Sequence, residues 1–373
     1  MRKIPARAEP PRGARILVLV TSFFDLTGGI QSVGRVLVKA LQELGEKRGW
    51  RILVLALHDD GRSAAGTAFE SPALRYLPAR GGRWRFAGRA ALEALRADLV
   101  IFGHVSCCIL AWAAIRARTC VIAHGIEVWR RLALRERAGL LAVDKILAVS
   151  AFTRDAMARE NRLDAARFAV LHNALDPASE GEILSRERLE LPAGKMLLTV
   201  SRLGACELQK GVEAALRAMP AVMARVPGAF YVVVGEGGDR PRLQALAEEL
   251  AIASRTFFVG RVSDQRIQAY YRQCDLFVLP SRKEGFGIVF LEAMRFAKPC
   301  VGARAGGIPE VIEDGRTGIL ADPEDPRSLE TALLRLLEDE ALRARMGAAA
   351  KARWEREFSF EKYKNKLLEA LWP

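Results

Sequence analysis

Asp275-Leu276-Phe277-Val278-Leu279-Pro280-Ser281-Arg282-Lys283-Glu284-Gly285-Phe286-Gly287-Ile288-Val289-Phe290-Leu291-Glu292 is an apolar strand, then a loop with a carboxylate and two glycines, then a helical pattern containing a second carboxylate. Glycine lets a backbone approach a ligand closely. The first amides of a helix have no internal partner and point at whatever lies beyond the helix end. Carboxylates accept hydrogen bonds from hydroxyls. The combination suits a polyol joined to an anion, which is the chemistry of a nucleotide-sugar.

Outward from that stretch, strand-like runs alternate with helical ones. In the first half they are Arg15 to Val20, Arg51 to Leu55, Asp98 to Phe102, Thr119 to Ala123, Lys145 to Val149 and Phe168 to Leu171. In the second half they are Met196 to Val200, Ala229 to Val234, Thr256 to Val259, Asp275 to Leu279 and Pro299 to Val301. Short, continuously apolar strands between helices indicate parallel sheets covered on both faces. With 373 residues the chain suits two domains. The expected fold is therefore α/β, with two doubly wound Rossmann-like domains. The boundary is placed in the polar, proline-containing segment Asn173 to Lys195, with Glu180 to Glu190 read as a charged helix. The domains run over 1–175 and 190–355, and a final helix within 356–373 crosses back onto the first. Ligands of such sheets sit outside the carboxyl ends of the strands, so the expected site is a cleft between the two domains.

The strand-end loops supply the candidates. Thr27-Gly28-Gly29-Ile30 follows the first strand; it is an ordinary turn or a loop offering amides to a phosphate or sugar, and it lacks the dinucleotide fingerprint. Arg202 and Lys210-Gly211 flank the strand ending at Val200, where two cations suit a diphosphate gripped from two sides. Gly235-Glu236-Gly237-Gly238 shapes a nucleotide pocket or is a plain turn, and Gly260-Arg261-Val262 is placed to offer backbone atoms to a base. His124 ends another strand beside Gly125; a lone histidine there is a satisfied turn residue or one reaching into a cleft. No pair of histidines has metal-ligand spacing and no Asp-x-Asp occurs, so no cation-bridged phosphate site is expected.

The net charge of +13 is uneven: residues 1–180 hold 28 Lys and Arg against 17 Asp and Glu, the remainder 29 against 27. Arg80, Arg83, Arg85 and Arg89 interleave with Trp84 and Phe86. Such a segment suits anionic lipid headgroups, with both aromatics entering the interface, or is a solvated basic face. Nucleic acid has no recognition motif in its favour. The six cysteines lack metal-like spacing and read as small buried residues of a reducing compartment. Met1 to Gly13 is basic without an apolar signal core, and Val100 to Ile115 is too short to span a bilayer; it reads as a strand end followed by a buried helix. A cytoplasmic protein, peripheral at the inner face of the plasma membrane, is the expectation.

These residues, in this order, resemble the retaining GT-B glycosyltransferases of family 4. The likeness covers nearly the whole chain and is strongest from Val200 to Asp322. Glu284 and Glu292 match the family's Glu-x7-Glu signature, and Arg202 with Lys210-Gly211 its phosphate pair. Gly28-Gly29 and His124 match its first-domain loops. Val149-Ser150-x-x-Thr153, Gly306-Gly307-x-Pro309-Glu310 and Phe358-Ser359-Phe360-Glu361 look like further family motifs. The hinge differs: His172-Asn173-Ala174-Leu175-Asp176 stands where Pro-Asn-Gly is usual, and Cys206 lies in a usually polar loop.

The resemblance implies transfer of a hexose from a nucleoside-diphosphate-sugar, with its α configuration kept, to a glycan or lipid-linked acceptor of cell-surface polysaccharide or lipopolysaccharide biosynthesis. It needs no metal and no cofactor. Glu292 would accept from the ribose hydroxyls. Glu284 would hold a donor-sugar hydroxyl with the amides of Phe286 and Gly287, within a donor loop that includes Gly285 and Ile288. Gly28, Gly29, Gly235 and Val262 would complete the donor site. Arg202 and Lys210 would neutralise the departing diphosphate, and His124 would line the sugar site. Rival readings are a nucleotide-sugar 2-epimerase, a glycosyl phosphorylase, or a degenerate transferase kept as a binding subunit.

Overall fold

The computed structural model describes residues 11–25, 28–61, 71–177, 181–205 and 207–372. Thr27 and Cys206 lie outside the described residues. The chain forms two compact units, Met1–Asp176 with Phe360–Pro373, and Pro177–Ser359.

Among the described residues the first unit holds seven strands: β1 (Arg15–Val20), β2 (Arg51–Ala56), β3 (Leu74–Pro78), β4 (Leu99–Phe102), β5 (Arg118–Ala123), β6 (Lys145–Ala148) and β7 (Phe168–Val170). All pair in parallel, in the order β3-β2-β1-β4-β5-β6-β7. Ile16 to Val20 and all of β4 are buried, because helices cover both faces. Those helices include α1 (Gly29–Glu46), α2 (Arg83–Ala94), α3 (Leu134–Leu141) and α4 (Ala151–Asn161). The order reverses between β1 and β4, so their carboxyl-end loops diverge and leave a crevice.

The second unit repeats the plan. Its strands β8 (Lys195–Val200), β9 (Ala229–Val234), β10 (Thr256–Gly260), β11 (Leu276–Leu279), β12 (Cys300–Ala303) and β13 (Gly318–Ala321) order as β10-β9-β8-β11-β12-β13, all parallel. Reversal falls between β8 and β11. The helices are α5 (Val212–Arg225), α6 (Arg240–Glu249), α7 (Asp264–Gln273), α8 (Ile288–Arg295), α9 (Ile308–Val311), α10 (Pro326–Glu338) and α11 (Glu340–Glu357).

Helix α12 (Phe360–Leu371) belongs to the first unit. It starts at Phe360, within the stretch where the sequence places a final helix, and α11 continues to Glu357 in the second unit. Tyr363, Leu367 and Leu371 are buried, and each such burial contributes roughly 1.5–3 kcal/mol. Lys364 meets Glu43 at 2.6 Å, Arg118 donates to the Leu371 carbonyl at 2.5 Å, and the rings of Trp50 and Trp372 lie 5.1 Å apart.

Several expectations fail. Glu182 to Glu190 is not helical. Arg186 donates to Gly194 O (2.5 Å), Gln273 O (2.7 Å) and Asp275 Oδ2 (2.9 Å), and these bonds hold the segment as a turn against the second unit. The buried helix after β4 is a 3-10 helix, Val105–Ala113, with Ile109 and Trp112 exposed. Strands β3 and β13, unseen in the sequence, are sheet edges whose apolar runs are broken by Arg75 and Pro78 or opened by Gly318. Phe86 does not accompany Trp84 outward: it is 4% exposed, on the core side of α2. The cysteines Cys107, Cys108, Cys120, Cys274 and Cys300 are buried and free, and burial pushes the Cys107 thiol up to about 11.

Candidate functional site

The densest chemistry in the second unit lies at its reversal point. After β8 the chain passes Ser201 and Arg202 into a 3-10 turn, Leu208–Lys210, which ends at Gly211. Gly211 has φ +77°, and a β-carbon there would strike the Pro280 carbonyl, so only glycine lets this turn lie against the loop after β11. Two bonds stitch the loops together: Arg282 N–H to Gln209 O (2.8 Å) and Ser281 Oγ to Lys210 O (3.1 Å). Lys210 Nζ is thereby brought 2.7 Å from Glu284 Oε2, both side chains largely buried.

Glu284 is held by its own backbone as well. Its carbonyl accepts from Gly307 N–H at 2.8 Å, and Gly306 packs directly against it. Thus the Gly306-Gly307 pair after β12 positions Glu284. Gly287 precedes α8 at φ +95°, where a β-carbon would meet the Phe290 ring at 2.5 Å. Gly285 and Phe286 are buried. The Phe286 side chain packs edge-on against Phe358 at 5.7 Å, so any ligand role of this residue falls to its backbone. Ile288 opens α8, half-buried.

Glu292 lies within α8 and accepts from the Tyr271 hydroxyl at 2.7 Å. Desolvation by burial, with Asp264 adding, pushes its carboxyl up to about 7; the Tyr271 bond and Arg295 act against this. The two signature glutamates therefore differ in kind. Glu284 is a loop carboxylate ion-paired to a lysine; Glu292 is a helical one whose visible partner is a phenol.

Arg202 is not on Lys210. It forms an ion pair with Glu207, and its side chain is 66% exposed. The two cations flank the end of β8, as the sequence suggested, but they take different carboxylate partners. Gly235 N–H donates to Gly260 O at 2.9 Å, tying the loops after β9 and β10, and Val262 is half-buried just beyond.

In the first unit, Gly28 caps α1, and its carbonyl accepts from Ser32 N–H at 3.0 Å. The loop before it hangs on a residue that the sequence did not mark, Asp59. This buried carboxylate accepts from Ser22 Oγ (2.5 Å), the amides of Phe23 and Phe24 (each 2.9 Å at Oδ2) and Tyr76 OH (2.7 Å). Burial works to raise the Asp59 carboxyl; these hydrogen bonds outweigh it and hold it below the usual carboxylate range. The signal available was an acid at the end of the β2 run, two residues past its last apolar position.

His124 follows β5. Its Nε2 lies 2.7 Å from the Gly103 carbonyl, which can only accept, so Nε2 carries the proton. Nδ1 is buried without a hydrogen-bond partner among the described residues. The amides of His124 and Gly125 donate to Glu127 Oε1 at 2.6 and 3.2 Å. The imidazole thus links the loops after β4 and β5. Nearby His104 accepts from Ser106 N–H at Nδ1 (3.1 Å), and burial lowers its pKa against the pull of Glu127. Ser150 caps α4 by accepting from Thr153 N–H at 3.0 Å, so that motif is a helix start.

Two parallel-sheet α/β units of matching strand order, with a cation–carboxylate pair at the reversal point of the second, define the Rossmann-like pair of the GT-B architecture. Family models agree. Residues 27–179 match the model described as Glycosyltransferase Family 4, and residues 184–353 match Glycosyl transferases group 1. Together the two matches span most of the chain, which is similar to the family 4 GT-B glycosyltransferases. It is 33% identical over 182 residues to the GDP-mannose-dependent alpha-(1-6)-phosphatidylinositol monomannoside mannosyltransferase of Mycolicibacterium smegmatis, covering 47% of each protein. Glycogen synthase of Mycobacterium tuberculosis (strain CDC 1551 / Oshkosh) is 26% identical over 370 residues, 96% of this chain and 80% of that one. The chain spans about half the length of the first curated relatives it matches. Among solved structures, Anabaena Alr3699/HepE in complex with UDP-glucose superposes with a TM-score of 0.79 at 21% identity, over 96% of this chain and 99% of that one.

Proposed function

We propose that the protein is a retaining hexosyltransferase that takes its donor as a nucleoside-diphosphate-sugar at the β8–β11 reversal point of the second unit. The observation that carries this is the Lys210–Glu284 pair. It sets an ammonium suited to a phosphate beside a carboxylate suited to a sugar hydroxyl, 2.7 Å apart at the strand ends. A relative named for GDP-mannose, and a structural neighbour solved in complex with UDP-glucose, support a donor of this class.

In this mechanism Lys210 and Arg202 receive the charge that develops on the departing diphosphate, and the N-terminus of α8 adds its dipole. Glu284 holds a hydroxyl of the donor sugar. Glu292, poised near neutrality, accepts from the ribose diol when ionised. The leaving phosphate takes the proton of the acceptor hydroxyl on the same face, so the anomeric configuration is kept. Gly235 and Val262 border the nucleotide; Gly28, Gly29 and His124 serve the transferred sugar. Neither a metal nor a cofactor is needed. The acceptor is a glycan or lipid-linked saccharide of cell-surface polysaccharide or lipopolysaccharide synthesis.

The test is incubation with UDP-, GDP- and ADP-hexoses and a panel of lipid-linked and soluble acceptors, with and without chelator. Acceptor-dependent release of nucleoside diphosphate and an α-linked product, unchanged by chelator, is the expected result. Consumption of the donor without any acceptor would point to an epimerase. Donor binding without turnover on any acceptor would point to a binding subunit.

A further inference from the structure

We infer that the outer face formed by α2, the 3-10 helix Val105–Ala113 and α3 is a docking surface for anionic phospholipid bilayers. The inference goes beyond the transfer reaction and stands without it. These three elements bury their inner sides in one apolar core with Leu17, Leu19, Val100, Phe102, Val121 and Ala123, so they lie together on one side of the sheet. Gly139 of α3 packs on the Cys108 backbone, and Trp112 Nε1 donates to Ala138 O at 3.1 Å, so the outer face is stiffly held.

That face is apolar where a soluble surface is polar. Trp84 is 92% exposed, Leu134 83%, Leu141 74%, Leu92 62%, Trp112 54% and Ile109 43%. In the second unit, only Ile183 and Leu208 among the described residues are large hydrophobics exposed to a comparable extent. On α2, Trp84 and Leu92 lie within about 80° of each other, opposite the buried Phe86, Ala90 and Ala94. Exposed apolar clusters of this kind mark interaction sites.

Charge selects the partner. Between residues 80 and 141, Arg80, Arg83, Arg85, Arg89, Arg96, Arg116, Arg130, Arg131 and Arg135 are exposed, whereas Asp98 is the one exposed carboxylate. Asp98 is turned to the Arg15 amide, at 2.9 Å. Indole rings and leucines among arginines match an interface of acyl chains beneath phosphate headgroups. No helix among the described residues is long and apolar enough to cross a membrane, so contact would be peripheral.

The experiment is sedimentation of the full chain with phosphatidylcholine vesicles, with and without phosphatidylglycerol, at low and high salt. Binding to the anionic vesicles at low salt, reduced by salt, is expected. Trp84→Ala with Trp112→Ala should weaken partitioning about tenfold. Arg83→Glu and Arg135→Glu should each weaken it by roughly fivefold or more. All four residues are exposed, so unchanged circular dichroism is expected and shows the fold intact. Equal binding to neutral and anionic vesicles would overturn the inference, as would variants that bind like the parent. So would a concentration-dependent dimer that Trp84→Ala abolishes without any vesicle binding; the face would then belong to a second copy.

Discussion

Lys210 and Glu284, 74 residues apart in the chain, meet at 2.7 Å across the reversal point of the second sheet. The contact exists because Gly211 lets one strand-end loop lie on Pro280 of the other, and because Gly307 fixes the Glu284 backbone. Under the proposed function the cation takes a phosphate and the carboxylate a sugar hydroxyl. Preorganisation of this kind lowers the cost of arranging charges when the reaction occurs.

Lys210→Ala is expected to lower turnover by roughly 100–1000-fold, the usual effect of losing one preorganised contact to a developing charge. Arg202→Ala should fall in the same range, although its present partner is Glu207. Steady-state kinetics with saturating donor would check both. Near-parental kcat in the two variants would reject the phosphate role.

The pair should also behave as a coupled unit. Glu284→Gln and Lys210→Met, measured singly and together by donor titration, should show a coupling energy on the order of 1 kcal/mol or more. Strict additivity would mean that the contact has no bearing on the donor.

Glu292 carries two opposite pH signatures. Its carboxyl is raised from 4.5 to about 7 in the folded protein, so the native state binds more protons than the unfolded chain between those values. Its contribution to stability is fully present below the unfolded value and is lost as pH rises through about 7. Glu292→Gln should therefore raise Tm at pH 8, by the equivalent of roughly 3 kcal/mol at most, and change it little at pH 4. Donor affinity in the parent should instead increase from pH 6 to 8, as the acceptor form appears, and lose that slope in the variant. Thermal melts and calorimetric titration across this range give both readings; a melting temperature that rises no more at pH 8 than at pH 4 would contradict the buried-acid assignment.

Asp59→Ala removes the acceptor of four donors that hold the loop after β1. A loss on the order of 3 kcal/mol is expected, since buried donors left unmatched keep their desolvation cost. The parent's share from this group is present above its unfolded pKa and is lost as pH falls through the lowered folded value. Denaturant melts at neutral pH would measure the difference. A shift under about 0.5 kcal/mol, typical of surface sites, would show that the loop is held by other means.

Much of the architecture is legible locally. Apolar runs such as Ile16 to Val20 and Phe277 to Leu279 are buried on both faces, and that requirement alone writes them as continuous hydrophobic strands. Strands β3 and β13 carry no such signature because Arg75 and Pro78 interrupt the one and Gly318 opens the other. Glycines at turns are legible too, since Gly211 and Gly287 occupy conformations that other residues resist.

What the sequence by itself determined is the pair of doubly wound sheets and the set of chemical groups at their strand ends. Tertiary structure decided which of those groups meet. It gave Lys210 to Glu284 and Arg202 to Glu207, turned Phe86 and Phe286 inward, and made Asp59 the anchor of a loop 35 residues earlier in the chain. The physical reason is distance along the chain. Backbone propensity and periodicity act over a few residues, whereas a contact between strand-end loops depends on strand order, which becomes fixed only when the whole sheet assembles.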